Sequence, residues 1–209
     1  MIYDAATMPL PLHIRADLCV VGSGAGGSMV AMVAAEAGLN VVVLETGGFV
    51  SPADMSQREE EMMPRLLVAN GGQATLDMGV KIHQGRALGG STVHNLNLCK
   101  RIPAPILADW RARRGLRHLP PERFDALYDA VETLLGVSAV PQARWNRHNQ
   151  LLLKGVRRLG WEGGGLSHNR SGCVGSGFCE VGCVYDAKNN AAKVAIPRAI
   201  DAGATVLTH

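Results

Sequence analysis

The alternation of apolar and polar positions near the start of the chain predicts two strands with a helix between them. Short apolar runs at 17–21 (DLCVV) and 40–45 (NVVVLE) are rich in β-branched residues, which is typical of buried strands. Residues 28–37 (SMVAMVAAEA) are rich in alanine and methionine and predict a helix that Gly38 ends. A glycine-rich turn at 22–27 joins the first strand to this helix. The order makes a βαβ unit, so the predicted fold class is α/β and Rossmann-like.

The rest of the pattern predicts further helices, a long loop and one more strand. Residues 1–16 form a lead-in in which Pro9 and Pro11 oppose a helix, and a single domain extends over 17–209. Residues 163–190 have little periodicity and predict a loop rich in glycine and cysteine. Amphipathic spacing and flanking prolines or glycines predict helices at 56–67, 107–114, 123–135, 149–159 and 193–202, and a strand at 205–208.

Composition places the chain among globular proteins and argues against several function classes. Of its 209 residues, 47% are apolar and 25 are glycines, and 21 basic side chains nearly balance 18 acidic ones. This balance gives no case for a nucleic-acid partner, and the basic run at 111–114 with Arg117 is interpreted as a solvated face. No apolar stretch is long enough to predict a membrane span, and the N-terminus has no export signal. We therefore expect a cytoplasmic protein whose five cysteines are free thiols.

The turn at 22–27 (GSGAGG) has the GxGxxG spacing of a dinucleotide-binding loop. Gly22 permits a tight turn, Gly24 lets the backbone approach a pyrophosphate, and Gly27 lets helix and strand pack closely. The helix N-terminus favours phosphate, and Glu45, 18 positions beyond Gly27, can accept the hydroxyl groups of an adenosine ribose. The alternative is a purely structural glycine turn. The candidate cofactor-binding residues here are Gly22, Ser23, Gly24, Ala25, Gly26, Gly27 and Glu45.

A second glycine-rich segment, GRALGGSTVHN at 85–95, resembles the signature of the glucose–methanol–choline (GMC) oxidoreductases. Glu45-Thr46-Gly47 and Trp110 also follow the order of this family, and the resemblance extends from about residue 15 to residue 209. It implies that the segment lies over the pyrophosphate and isoalloxazine of FAD. It also implies an oxidoreductase that transfers hydride from the CH–OH group of an alcohol or sugar to the flavin. The candidate cofactor-binding residues of the segment are Gly89, Gly90, Ser91, Thr92, His94 and Asn95.

His94 has two open roles. Choline-oxidase-like members of the family carry a histidine in a similar context, and the resemblance implies that it forms a covalent bond to the 8α-methyl group of FAD. A neutral imidazole is a competent nucleophile for such a bond. The alternative is a histidine that only hydrogen-bonds the cofactor or its neighbours.

Three cysteines in the predicted loop, Cys173, Cys179 and Cys183, have the spacing C-x5-C-x3-C. The stretch resembles one in a branch of the same family that includes long-chain alcohol oxidase-like and bacterial sugar dehydrogenase-like members. Three interpretations are open: a structural loop, an iron–sulfur cluster on the three thiolates, or a zinc site with His168 as fourth ligand. The structural loop is preferred because the spacing matches no standard metal module.

The resemblance also implies that this chain corresponds to the N-terminal part of longer family members. The C-terminal histidine pair, or histidine and asparagine, that accepts the alcohol proton has no counterpart here, so no catalytic residue is assigned. The strand at 205–208 has no evident partner, so we expect a domain that is incomplete at its C-terminus or completed by a second chain. From this chain alone we expect cofactor binding with little or no turnover.

Two hypotheses from other classes stay open. The first is a non-catalytic dinucleotide-binding module that works only with a partner chain. The second is an NAD-dependent dehydrogenase with a metal-bearing cysteine loop, against which the segment at 85–95 argues. A flavin absorption band distinguishes the FAD enzyme from the NAD enzyme.

Overall fold

A computed structural model describes the chain except residues 9–11 and 117, so Pro9, Pro11 and Arg117 lie outside the described residues. The chain divides into two compact units, Met1–Asn97 with Ser171–His209, and Leu98–Arg170. In chain order the described strands and helices are β1 (Ile2–Asp4), β2 (Leu18–Val21), α1 (Ala25–Glu36), β3 (Val41–Glu45), α2 (Glu59–Leu66), β4 (Gln73–Ala74), β5 (Lys81–Ile82), β6 (Leu98–Cys99), α3 (Ala104–Arg113), α4 (Pro121–Leu135), β7 (Ser138–Ala139), α5 (Arg147–Arg158), β8 (Ser167–His168), α6 (Ala195–Asp201) and β9 (Thr205–Thr208).

The first unit is built on a four-stranded parallel sheet of order β1-β9-β3-β2. The inner strand β3 buries Val41 and Val43 completely. In register, Val43 lies between Val20 of β2 and Val206 of β9, and both of these valines are buried. Strands inside a parallel sheet are covered by other layers, which is why β3 is a continuous apolar run rather than an alternating one.

Helices α1 and α6 pack against each other, and α1 also packs on β2 and β3. An ion pair of 2.6 Å between Arg198 and Glu36 joins the two helices at their exposed edge. Small side chains permit the close approach of the helices, and four of them are buried: Ala31, Ala35, Ala195 and Ala199. This layer fixes the start of α1, where the first glycine loop ends.

A second apolar cluster in the same unit joins α2 to segments that are distant in sequence. Met62 and Leu66 of α2 are its most buried members, and Pro64 lies inside the helix. The other buried members are Met55, Leu67, Ala87, Val93 and Val181. Because Val93 belongs to the second glycine-rich segment and Val181 to the cysteine loop, the cluster holds both segments in one core.

The mixed α/β fold with a parallel sheet is confirmed, and β2–α1–β3 is the predicted βαβ unit. Helix α1 begins at Ala25, earlier than predicted, because Gly24 is its N-cap and two loop glycines form its first turn. Two expectations are wrong: the lead-in contains β1, and β9 is not without a partner. Strand β9 pairs in parallel with β1 on one side and β3 on the other. Local periodicity cannot reveal a partner from the opposite end of the chain.

The second unit combines a small antiparallel sheet of order β6-β8-β7 with helices α3, α4 and α5. Helix α4 begins at Pro121, which suits a first helical turn, and ends at Gly136 with φ +61°. Arg101 joins β6 to α4 through a 2.6 Å ion pair with Glu132, and its guanidinium lies over the ring of Tyr128. In the described part of the chain, no helix has the length and apolar character needed to cross a bilayer.

Candidate cofactor site

The structure brings the two glycine-rich segments into contact, although about 60 residues separate them in sequence. The backbone N–H of Gly89 donates a 2.8 Å hydrogen bond to the hydroxyl of Ser23. A Cβ atom added to Gly90 would lie 2.8 Å from the Cα atom of Gly24, closer than real Cβ atoms approach. Gly24 and Gly90 therefore pack backbone against backbone, which brings the first loop and the second segment together.

The first loop has the tight turn that its glycine spacing predicts. Gly22 has φ +90°, and its N–H donates to the carbonyl of Leu44 at 2.7 Å, which holds the turn against β3. A Cβ atom on Gly27 would lie 1.9 Å from the carbonyl oxygen of Gly22. The first N–H groups of α1, at Ala25 and Gly26, have no acceptor within a helix, and the helix dipole adds partial positive charge there.

Ser23 and Glu45 form a buried junction between the two segments. Ser23 is completely buried, and its hydroxyl donates to Glu45 Oε2 at 2.6 Å while its N–H donates to the same oxygen at 2.9 Å. The other carboxylate oxygen, Oε1, accepts the N–H of Gly47 at 2.9 Å. The carboxylate of Glu45 thus binds the chain itself. This contact was not foreseen from the sequence, which assigned Glu45 to a ribose alone.

The polar side chains of the second segment also make contacts within the chain. Ser91 Oγ accepts the N–H of Gly85 at 2.8 Å. Thr92 Oγ1 donates to the carbonyl of Gly89 at 2.6 Å and accepts the N–H of Ala191 at 3.0 Å. Asn95 Oδ1 accepts the N–H of Asn97 at 2.7 Å. These side chains therefore shape the segment around Gly89 and Gly90, which are buried.

His94 is the buried side chain of this segment with an open hydrogen-bonding atom. It is 6% exposed, and its Nε2 has no hydrogen-bond partner among the described residues. Burial lowers the pKa of His94, and the positive charge of Lys188 lowers the pKa further. The imidazole is therefore neutral near pH 7, with a nitrogen available to a bound molecule.

These features fit FAD. Gly24 and Gly90 make a backbone contact that a Cβ atom would prevent, the start of α1 supplies N–H groups for phosphate, and His94 offers an orphaned buried nitrogen. Gly90 and His94 belong to one continuous segment.

The cysteine loop packs against other parts of the first unit. Among the described residues, no group of three or more histidine, cysteine, aspartate or glutamate side chains could hold a metal ion, and no disulfide joins any two of the five cysteines. The N–H of Cys183 donates to the sulfur of Met55 at 2.9 Å, and Val181 is part of the apolar cluster. His168, the proposed zinc ligand, belongs to the second unit, where Nδ1 accepts the N–H of Arg170. The structure thus gives Val181 and Cys183 of the loop a packing role, and the iron–sulfur and zinc interpretations stay hypotheses from the sequence.

Lys188 is a site residue that the sequence did not reveal. It is 1% exposed, and its ammonium group donates to the carbonyls of Val93, Asn95 and Cys179. Its position a few residues after Cys183 gives no sign of this burial.

Comparison with known proteins agrees with the geometry. The sequence profile described as GMC oxidoreductase matches residues 63–209. An uncharacterized GMC-type oxidoreductase of Mycobacterium tuberculosis is 37% identical over 202 residues, which cover 95% of this chain and 32% of that protein. A long-chain-alcohol oxidase of Arabidopsis thaliana is 33% identical over 94% of this chain and 26% of its own length. A cholesterol oxidase of Mycobacterium tuberculosis is 24% identical over 91% of this chain and 38% of its own length.

The chain spans about a third of the length of these relatives. The profile match covers most of the chain, including the second glycine-rich segment, the second unit and the cysteine loop. The chain belongs to the GMC oxidoreductase family, whose members depend on FAD.

Proposed function

We propose that this chain binds FAD and forms the cofactor-binding part of an oxidoreductase that acts on the CH–OH group of a small-molecule alcohol or sugar. The observation that carries the proposal is the junction of the two glycine-rich segments, with Gly24 facing Gly90 and the unpaired nitrogen of His94 on the same segment. Two relatives are named as alcohol and cholesterol oxidases, which supports a hydroxyl-bearing substrate. The cytoplasmic location stays a prediction from the sequence.

Each part of the site has a task toward FAD. The bound flavin supplies the hydride acceptor of the reaction. The N–H groups at the start of α1 and the bare backbone at Gly24 and Gly90 hold the pyrophosphate. Glu45 is assigned to the adenosine ribose, and its carboxylate then shares its acceptor oxygens between the ribose and Ser23.

His94 is the residue that we place against the flavin ring. Its burial and its neutral state would suit a hydrogen bond to the flavin. They would also suit a covalent bond from a ring nitrogen to the 8α carbon, for which an 8α C–H proton is lost and the isoalloxazine takes up the electron pair. The covalent form has a simple signature, because covalently bound flavin stays with the protein after denaturation.

No histidine of this chain is assigned as the base that accepts the alcohol proton. His83 and His168 do not match the family position of that base, and His94 is assigned to the cofactor. We therefore expect the chain to bind FAD with little or no alcohol oxidation.

The first test is a titration of the purified chain with FAD. Quenching of flavin fluorescence and the change in the visible spectrum report binding. A 1:1 flavin complex supports the proposal, and yellow colour in the acid-precipitated pellet that is lost in His94→Ala supports the covalent bond. Gly90→Ala should abolish binding because its Cβ atom would lie 2.8 Å from Gly24. Gly155→Ala is the matched control, since this helical glycine of α5 has open space around it.

Three other results would contradict the proposal or favour one of the alternatives. A folded chain that binds NADH but not FAD favours the NAD-dependent alternative. A folded chain that binds neither ligand contradicts the proposal for this chain alone, and binding that appears only with a second chain favours the partner-dependent module.

A further inference from the structure

Lys188 is buried among backbone carbonyls rather than exposed to water. Its side chain is 1% exposed, and its ammonium group donates to the carbonyl oxygens of Val93 at 2.9 Å, Asn95 at 2.6 Å and Cys179 at 2.6 Å. Lysine is seldom fully buried, because the removal of its charge from water is costly unless the ammonium group is well bonded. A side chain with three such bonds therefore imposes a definite geometry on the backbone around it.

Two of these three carbonyls flank His94 in the chain. The bond to Val93 fixes the peptide group that precedes His94, and the bond to Asn95 fixes the peptide group between Asn95 and Leu96. The bond to Cys179 ties both to the segment that carries the cysteines. A parallel contact strengthens the arrangement, since the N–H of Ala191 donates to Thr92 Oγ1. The stretch that follows the cysteine loop thus supports the second glycine-rich segment along its length.

We propose that Lys188 is a positioning residue that holds His94 in the orientation in which its free ring nitrogen meets the flavin. The proposal rests on the proposed FAD site and deepens it, because it names the group that acts on His94 through the backbone. Lys188 does not contact the reacting atoms in this proposal.

The charge of Lys188 adds a second effect on the imidazole. The charged or titratable groups that act on His94 are Lys188, His83 and Glu180. Burial is the main cause that lowers the pKa of His94, Lys188 and His83 lower it further, and Glu180 acts in the opposite direction. A neutral imidazole keeps a lone pair for the cofactor, whereas an imidazolium has none on either nitrogen.

Lys193 provides the matched comparison within the same stretch of chain. It is half-exposed, and its ammonium group binds the carbonyl and the carboxylate of Asp186, at 3.0 Å for the carboxylate. These bonds of the ammonium group go to Asp186 and not to the segment at 93–95. A Lys193→Met variant therefore removes a lysine charge and its bonds without removing the support of His94.

The test compares Lys188→Met with Lys193→Met in the full chain, first by the titration of His94 without FAD and then by FAD binding. The NMR titration of the His94 ring, assigned with His94→Asn, reports its pKa directly. We expect the pKa of His94 to rise in Lys188→Met and to stay as in the wild type in Lys193→Met. We also expect FAD binding to weaken at least about tenfold in Lys188→Met, the size of a lost charge-assisted hydrogen bond.

A measurement on the wild type covers the case in which Lys188→Met does not fold. The ammonium protons of Lys188 should exchange with water far more slowly than those of Lys193, and His94 should titrate below the ordinary histidine range. A rapidly exchanging Lys188 or an unshifted His94 in the folded chain overturns the proposal, as does a folded Lys188→Met variant with unchanged His94 titration. These readouts need no FAD. They therefore test the role of Lys188 even if the wild-type chain were found not to bind flavin, which would contradict the proposed function instead.

Discussion

The hydroxyl of Ser23 is expected to be one of the most costly small groups to remove from this chain. In Ser23→Ala, Glu45 loses a charge-assisted hydrogen bond of 2.6 Å and the buried N–H of Gly89 loses its acceptor at 2.8 Å. A hydrogen bond to a charged group contributes about 1.5–3 kcal/mol, and a buried N–H without a partner costs about 1–3 kcal/mol. Since the backbone bond from Ser23 to Glu45 remains, we expect the free energy of unfolding to fall by about 3 kcal/mol.

Urea denaturation followed by circular dichroism measures this loss, and Ser28→Ala is the control. Ser28 is as buried as Ser23, but its hydroxyl makes only a long contact of 3.4 Å to the carbonyl of Ala25 within α1. Alanine also suits a helix better than serine, so Ser28→Ala should change the free energy of unfolding by less than about 0.5 kcal/mol. If Ser23→Ala were as stable as Ser28→Ala, the junction would contribute no stability and the reasoning would be refuted.

Two further predictions concern packing and pH. In Gly27→Ala the added Cβ atom would lie 1.9 Å from the carbonyl oxygen of Gly22. The free energy of unfolding should therefore fall by about 3 kcal/mol or more, the upper end of what an overpacked core costs. Gly26→Ala, with open space at its Cβ position, should be neutral or stabilising in the same denaturation assay. Burial lowers the pKa of His94 and of His168 in the folded chain. As the pH drops below about 6.5, these histidines take up protons in the unfolded chain before they do so in the folded chain, and the free energy of unfolding should fall. Denaturation at several pH values tests this, and a flat profile in the wild type would contradict it.

The parts of the fold that depend on local pattern could be predicted from the sequence. The strand at β3 is an uninterrupted apolar run, and the helix α1 follows a glycine turn whose spacing has a geometric reason at each position. Helix α4 has a proline at its start and a glycine at its end, so its boundaries were also predictable. In each case the signal and the structure that it specifies lie within a few residues of each other.

The features that could not be predicted are contacts between distant segments. Strand β1 has no distinctive pattern, and only its parallel pairing with β9 makes it a strand. Ser23 occupies the first variable position of the GxGxxG motif. The motif does not predict that its hydroxyl joins Glu45 to Gly89. The burial of Lys188 could not be predicted either, because lysine side chains are usually exposed to solvent.

The segment from Gly89 to Asn95 is held at both ends by groups that do not belong to it. Ser23 fixes the N–H of Gly89 at one end, and Lys188 fixes the carbonyls of Val93 and Asn95 at the other. These bonds form within the chain itself, so the cofactor meets a segment whose ordering has already been achieved by folding. Binding a flavin then costs less conformational entropy than it would on a loose glycine loop. For the proposed FAD site we therefore expect the bonds made by Ser23 and Lys188 to affect affinity, because they decide how the glycine backbone and His94 are held before the cofactor binds.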